Sequence, residues 1–203
     1  MKTIMKQIIV LACLILMFIP QDLKAQEKTL NYNIRVLGRD VGILSVSERI
    51  EGGDTIVEAL TDVKVKILFT YKVKFVQKSI YRGGELLNSS LLTYKKDRLN
   101  SSTYMTRKGS GYALNIDEES SYINNRIRYS GSLLYFHEPL GIADLYYEID
   151  GEKKPISALG DHKYQVIDPH NGRESIYEYE DGMLQRSSVE HGLATIYTER
   201  LPD

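Results

Sequence analysis

Among its 203 residues the sequence has one cysteine, Cys13, and no tryptophan. Cys13 falls in the leading segment, so everything after it lacks both disulfides for stability and a thiol for chemistry. Net charge of either sign is also missing, with 26 basic groups against 27 acidic ones. That balance excludes the basic footprint of a nucleic-acid binder, whose affinity rests on neutralising phosphates. A membrane-spanning helix needs about 20 apolar residues, and the run from Ile8 to Ile19 holds only 12. Proline is absent between Gln26 and Glu138. Because proline cannot donate to a β-ladder, that gap suits uninterrupted strand pairing.

What is present first is an address. Lys2 and Lys6 precede the apolar run, and Leu23, Lys24 and Ala25 follow it, the order of a secretory signal peptide. The pattern predicts a signal over residues 1–25 cleaved after Ala25, a single β-rich domain over 26–203, and a periplasmic or secreted protein. Leu11, Ala12 and Cys13 resemble the end of a lipidation box, but the apolar run continues beyond them. Cleavage leaves 23 basic and 26 acidic groups on 178 residues. A domain of that size buries roughly 70% of the surface its unfolded chain exposes, enough to fold without cross-links.

Period-two alternation dominates the remainder. Val63, Val65, Ile67, Phe69, Tyr71, Val73 and Phe75 all occupy odd positions, and lysines fill most even ones. One face of a strand collects the odd set, so the pattern predicts a single strand from Val63 to Phe75. At ~3.3 Å per residue it would reach about 43 Å, long enough to require a bulge, a bend or the coiling of a half-barrel.

Turn signals punctuate the chain at Gly38 to Gly42, Glu51 to Asp54, Arg82 to Glu85, Lys108 to Gly111, His170 to Arg173 and Asp181 to Gly182. Asn-Gly and Asp-Gly supply the positive φ of tight hairpins. The spacing predicts roughly ten strands and an all-β fold: one curved antiparallel meander sheet, half-barrel or open barrel. Residues 130–170 break the pattern, and a short irregular or helical insertion is expected near 137–150, where a lid or site mouth would be built. Fifteen tyrosines, all after the signal, suit half-buried strands, or a groove apolar at the ring and wet at the hydroxyl.

No catalytic constellation stands out. His137, His162, His170 and His191 share the C-terminal half with Glu138, Asp144, Asp161 and Asp168, but no pair has a zinc-binding spacing. No Gly-x-Ser-x-Gly elbow occurs, and neighbouring acids such as Glu178 and Glu180 do not define a glycosidase pair. No cofactor and no metal are expected. The lysines Lys64, Lys66, Lys72, Lys74 and Lys78 would suit an anionic membrane surface, or would guard strands against edge-to-edge association, offset by Glu48, Glu58 and Asp62.

Three stretches carry a family likeness: Tyr32-x-Ile34-x-Val36-x-Gly38-x-x-Val41-Gly42-x-Leu44, Leu134-Tyr135-Phe136-x-Glu138-Pro139, and Tyr177-x-Tyr179-x-x-Gly182-x-Leu184. Together with the signal ending Lys24-Ala25-Gln26, they resemble uncharacterised exported β-rich proteins of Bacteroidota, filed as domains of unknown function. The resemblance implies a cell-envelope protein with a curved sheet, distantly like lipoprotein-carrier and lipocalin-like half-barrels. It implies no catalytic residues.

The expected function is a non-enzymatic envelope binding module for an apolar or amphipathic ligand such as a lipid, lined by Val65, Ile67, Phe69, Tyr71, Phe75, Tyr135 and Phe136. An envelope scaffold is the alternative. A glycan- or lipid-acting hydrolase comes third, and requires the His137 and Glu138 region to converge with Asp161 or His162 in a cleft.

Overall fold

The computed structural model describes residues 27–66, 70–192 and 194–202. Its chain forms two antiparallel meanders. The first runs through β1 (Lys28–Val36), β2 (Arg39–Glu51), β3 (Asp54–Lys66), β4 (Thr70–Arg82), β5 (Glu85–Lys95), β6 (Arg98–Lys108), β7 (Gly111–Ile116) and β8 (Glu119–Ile123). The second comprises β9 (Asp144–Tyr147), β10 (Glu152–Gly160), β11 (Lys163–Ile167), β12 (Glu174–Glu180), β13 (Met183–His191) and β14 (Ala194–Arg200). Pairing of β1 with β14 joins them into one 14-stranded sheet with β8 and β9 at its edges. The sheet is an open barrel.

Alternation explains which face turns inward. On β1 Leu30, Tyr32 and Ile34 are buried while Asn31 and Arg35 are exposed, and on β12 Tyr177 and Tyr179 are buried. Burying each such side chain contributes about 1.5–3 kcal/mol. Register shifts at Ile34/Arg35, Ile80/Tyr81, Thr93/Tyr94 and Glu178/Tyr179 add local twist, which curls the long strands around the interior.

Two expectations need correction. The segment from Val63 to Phe75 is not one strand but the end of β3 and the start of β4, which pair with each other. Val63 faces Val73 and Val65 faces Tyr71, so odd residues oppose odd residues and the shared face survives the reversal. Among the described residues the strands number 14, not ten. The additional turns include Lys96-Asp97 and Asp117, where non-glycine residues hold positive φ, and these two carry no glycine signal.

The irregular region also sits earlier than expected. Gly131–Tyr135 forms a 3-10 turn, whereas Asp144–Tyr147, inside the anticipated insertion, is strand. Residues 124–143 thread from β8 to β9 and enter the interior of the barrel as a plug. Ile127, Leu134 and Phe136 are buried there. The backbone N–H of Leu86 donates to the Ile127 carbonyl at 2.9 Å, that of Tyr146 to the Tyr129 carbonyl at 3.1 Å, and that of Glu138 to the Gly182 carbonyl at 3.0 Å. The plug thereby touches both meanders and spans the gap that the sheet leaves open. Among the described residues no helix is long and apolar enough to cross a membrane.

Candidate functional site

The plug fills only part of the interior. Above it lies a cavity of about 440 Å³, walled by Phe75 and Leu91 from the first meander and by Tyr177, Leu184 and Val189 from the second. A second cavity of about 520 Å³ opens beside it and shares His191 and Thr198 with the first. Its wall is mostly apolar, with Ile34, Val36, Leu44, Val63, Val73 and Ile196. The two adjoin at His191 and Thr198, one lined mostly by apolar side chains and the other carrying the polar groups of Glu148, Tyr147 and Lys154.

The floor is built around Glu148, which follows β9 and is 3% exposed. Its Oε1 accepts from the backbone N–H of Ser132 at 3.1 Å, from the Ser79 hydroxyl at 3.4 Å and from the Ser130 hydroxyl. Tyr81 joins the same network by hydrogen bonds with Ser130 and, at 2.7 Å, with Ser132. Burial, reinforced by the nearby Glu148 carboxyl, pushes the Tyr81 phenol well above its usual range. Ser130 gives the 3-10 turn no side-chain cap, because its hydroxyl is engaged with Tyr81 and Glu148. Small residues at Ser130-Gly131-Ser132 let the chain pass this close: a Cβ on Gly131 would lie 3.0 Å from Glu148 Oε2.

Beside Glu148 the Tyr147 hydroxyl lies 2.8 Å from that of Tyr177, and burial raises both phenols above their usual range. Lys154 sits 4.8 Å over the Tyr147 ring and pairs with Asp168 at 2.7 Å and Asp150 at 2.9 Å. Burial opposes its charge, but bonds from Asp168 and Asp150 outweigh that and raise its pKa. The Lys154 ammonium in turn holds the Asp168 carboxyl below the usual carboxylate range. Arg173 and His191 are exposed at the rim.

Of the residues expected to line a site, Phe75 and Tyr135 lie on the first cavity, while Phe136 is core beneath it. Val65 and Tyr71 are placed by backbone register alone, opposite each other. Ile67 and Phe69 lie outside the described residues. Sequence reasoning missed Glu148, Tyr147, Lys154 and Tyr177. A usable signal existed in Leu145-Tyr146-Tyr147-Glu148-Ile149, where one acid interrupts an apolar run and therefore falls where burial is expected.

Elsewhere, Glu138 does meet His162, with Oε1 at 2.9 Å from Nδ1, and accepts from the Tyr164 hydroxyl at 2.6 Å. His137 instead pairs with Glu48. His162 lies on the β10–β11 turn with its side chain 67% exposed, and neither residue lines the two interior cavities. These contacts fasten the plug to the sheet. Among the described residues no group of three or more His, Cys, Asp or Glu side chains is placed to hold a metal ion. On the outer face Lys72 pairs with Asp97 at 3.1 Å and Lys78 with Glu58 at 2.9 Å, and Lys74 stands opposite Asp62.

Residues 32–201 match the family model of Domain of unknown function (DUF6134). The chain belongs to that family. The DUF6134 fold is similar to the crystal structure of a beta-barrel-like protein of domain of unknown function DUF1849 from Brucella abortus, with a TM-score of 0.55. The two share 8% sequence identity, over 85% of this chain and 95% of that one. At that identity the likeness concerns the fold alone. No curated protein matches this DUF6134 chain.

Proposed function

We propose that the protein is an exported, non-enzymatic binding module that holds an apolar or amphipathic envelope ligand inside its open barrel. The observation that supports this reading is the pair of adjoining cavities, one with an apolar wall at Val63, Val73 and Ile196 and the other with a polar floor at Glu148 and Tyr147. Each lies within the ~300–1,000 Å³ range of small-molecule sites. A molecule with a hydrocarbon chain and one polar end matches both halves. The leading segment, residues 1–26, lies outside the described residues; its charge and apolar order support export.

Calorimetry with ten-carbon amphiphiles (decanol, decanoate and decylamine, each below its micelle concentration) tests the proposal. At least one is expected to bind the wild-type protein at one site. Val73→Trp and Ile196→Trp, which fill the apolar cavity, are expected to weaken that binding at least tenfold with the thermal midpoint kept within a few degrees. Absence of binding by all three amphiphiles, or tryptophan variants that bind as well as wild type, overturns the interior-ligand reading.

A further inference from the structure

Glu148 is buried to 3% exposure, and among the described residues no cation pairs with it. Lys154, the buried cation of the same cavity, is already shared between Asp150 and Asp168. A buried carboxyl group served only by neutral donors is costly unless something else completes it. Its hydrogen bonds all converge on Oε1, from Ser130, Ser132 and Ser79. Oε2 takes none of them and lies beside Gly131, which lines the cavity together with Glu148. The rigid network through Tyr81, Ser130 and Ser132 fixes Oε1, so the second oxygen is held in a set direction.

The charge of the lining favours the same occupant. Glu148, Asp150, Asp168 and Glu190 bring four acids to this cavity, against Lys154 and Arg173. A low-dielectric wall focuses that negative field on the enclosed space. A carboxylate head at the floor would meet like charge, and an alcohol would satisfy the hydrogen bond but leave the charge alone.

From the Oε2 of buried Glu148, which among the described residues takes no hydrogen bond, and from the acidic excess around it, we infer that the cavity selects a primary amine carried on an apolar chain. The ammonium head bonds Glu148 Oε2 at the floor. The chain passes Phe75 and Leu91 and ends between Val73 and Ile196 in the second cavity. This inference rests on the interior-ligand proposal, and the two fail separately.

The test compares decylamine, decanol and decanoate by calorimetry at neutral pH on wild type, Glu148→Gln and Arg173→Gln. Decylamine is expected to bind wild type at least tenfold tighter than decanol and decanoate. In Glu148→Gln, which keeps an acceptor for Ser132, that preference is expected to fall below threefold while decanol binding persists and reports an intact cavity. Should Glu148→Gln not fold, the wild-type ranking and Arg173→Gln decide: unchanged or tighter decylamine binding supports the inference. Decanol binding as tightly as decylamine in wild type overturns it and leaves the interior-ligand proposal standing. Decanoate binding tightest, and losing its affinity in Arg173→Gln, overturns it in favour of a head group read at the rim. Retention of the full amine preference in Glu148→Gln overturns it as well.

Discussion

At Gly42 on β2 the chain has no room for a side chain. An added Cβ would lie 2.2 Å from the backbone oxygen of Asp62 on β3, so the two strands must separate to admit it. Backbone cannot yield as the end of a flexible side chain can. Gly42→Ala is therefore expected to destabilise the fold by about 1–3 kcal/mol, as overpacking does, measured by urea denaturation. The same substitution at Gly131, beside Glu148, meets a carboxylate oxygen at 3.0 Å, a contact that bears on the cavity floor. Residues of this kind were only partly legible. Gly42 fell inside a recognised turn signal, but the crowding comes from a strand about twenty residues away in sequence. Glu148 lay in the open as a lone acid in an apolar run, and nothing local told that its partners would be Ser79, Ser130 and Ser132.

Among the elements, the plug decides how much of the barrel is left empty. It is held at one end by Leu86 and Tyr112, which bond Ile127, and at the other by Glu138, which meets His162, Tyr164 and Gly182. The Glu138 side chain is only 5% exposed, so its hydrogen bonds are sheltered from water. Glu138→Ala is expected to cost about 1.5–3 kcal/mol, the range for hydrogen bonds to charged groups. Amide exchange should accelerate over residues 127–142 and stay unchanged in β2–β4. Equal acceleration throughout would mean that the plug has no independent latch. The alternation of β3 and β4 was legible because period two is a local property. The reversal between them was not, since no glycine, proline or asparagine occurs from Val63 to Phe75. Parity survived only because the pairing sets odd against odd.

For the molecule as a whole, tyrosine ties stability to alkaline pH. Tyr32 donates to the Leu184 carbonyl at 3.0 Å and Tyr112 to the Leu86 carbonyl at 2.7 Å, each from a buried position. Burial raises Tyr32, Tyr112, Tyr129, Tyr135, Tyr147 and Tyr177 above the ordinary phenol value, and burial with the adjacent Glu138 pushes Tyr164 up to about 12. A folded pKa above the unfolded one gives stability that is complete below the unfolded value of about 10 and is lost as pH climbs through the folded value. The thermal midpoint should therefore hold near neutrality and fall steeply above about pH 10. After a first component from the exposed Tyr104, Tyr122 and Tyr197, phenolate absorbance should rise together with unfolding, not before it. Most phenolates forming well ahead of the transition would show that these rings are accessible.

The sequence by itself determined an all-β chain with one dry and one wet face, because alternation and the intrinsic preferences of tyrosine and valine act between near neighbours. It also excluded an intramolecular disulfide, since Cys13 is the single cysteine. The tertiary structure alone decided that β1 and β14 join the two meanders, that residues 124–143 enter the interior, and that Glu148 stands at the floor of a cavity. Those outcomes depend on contacts between residues as far apart as Asn31 and Leu201, whose backbones hydrogen-bond at 2.8 Å. Such contacts form only after the sheet has curled, and no short window of sequence encodes them.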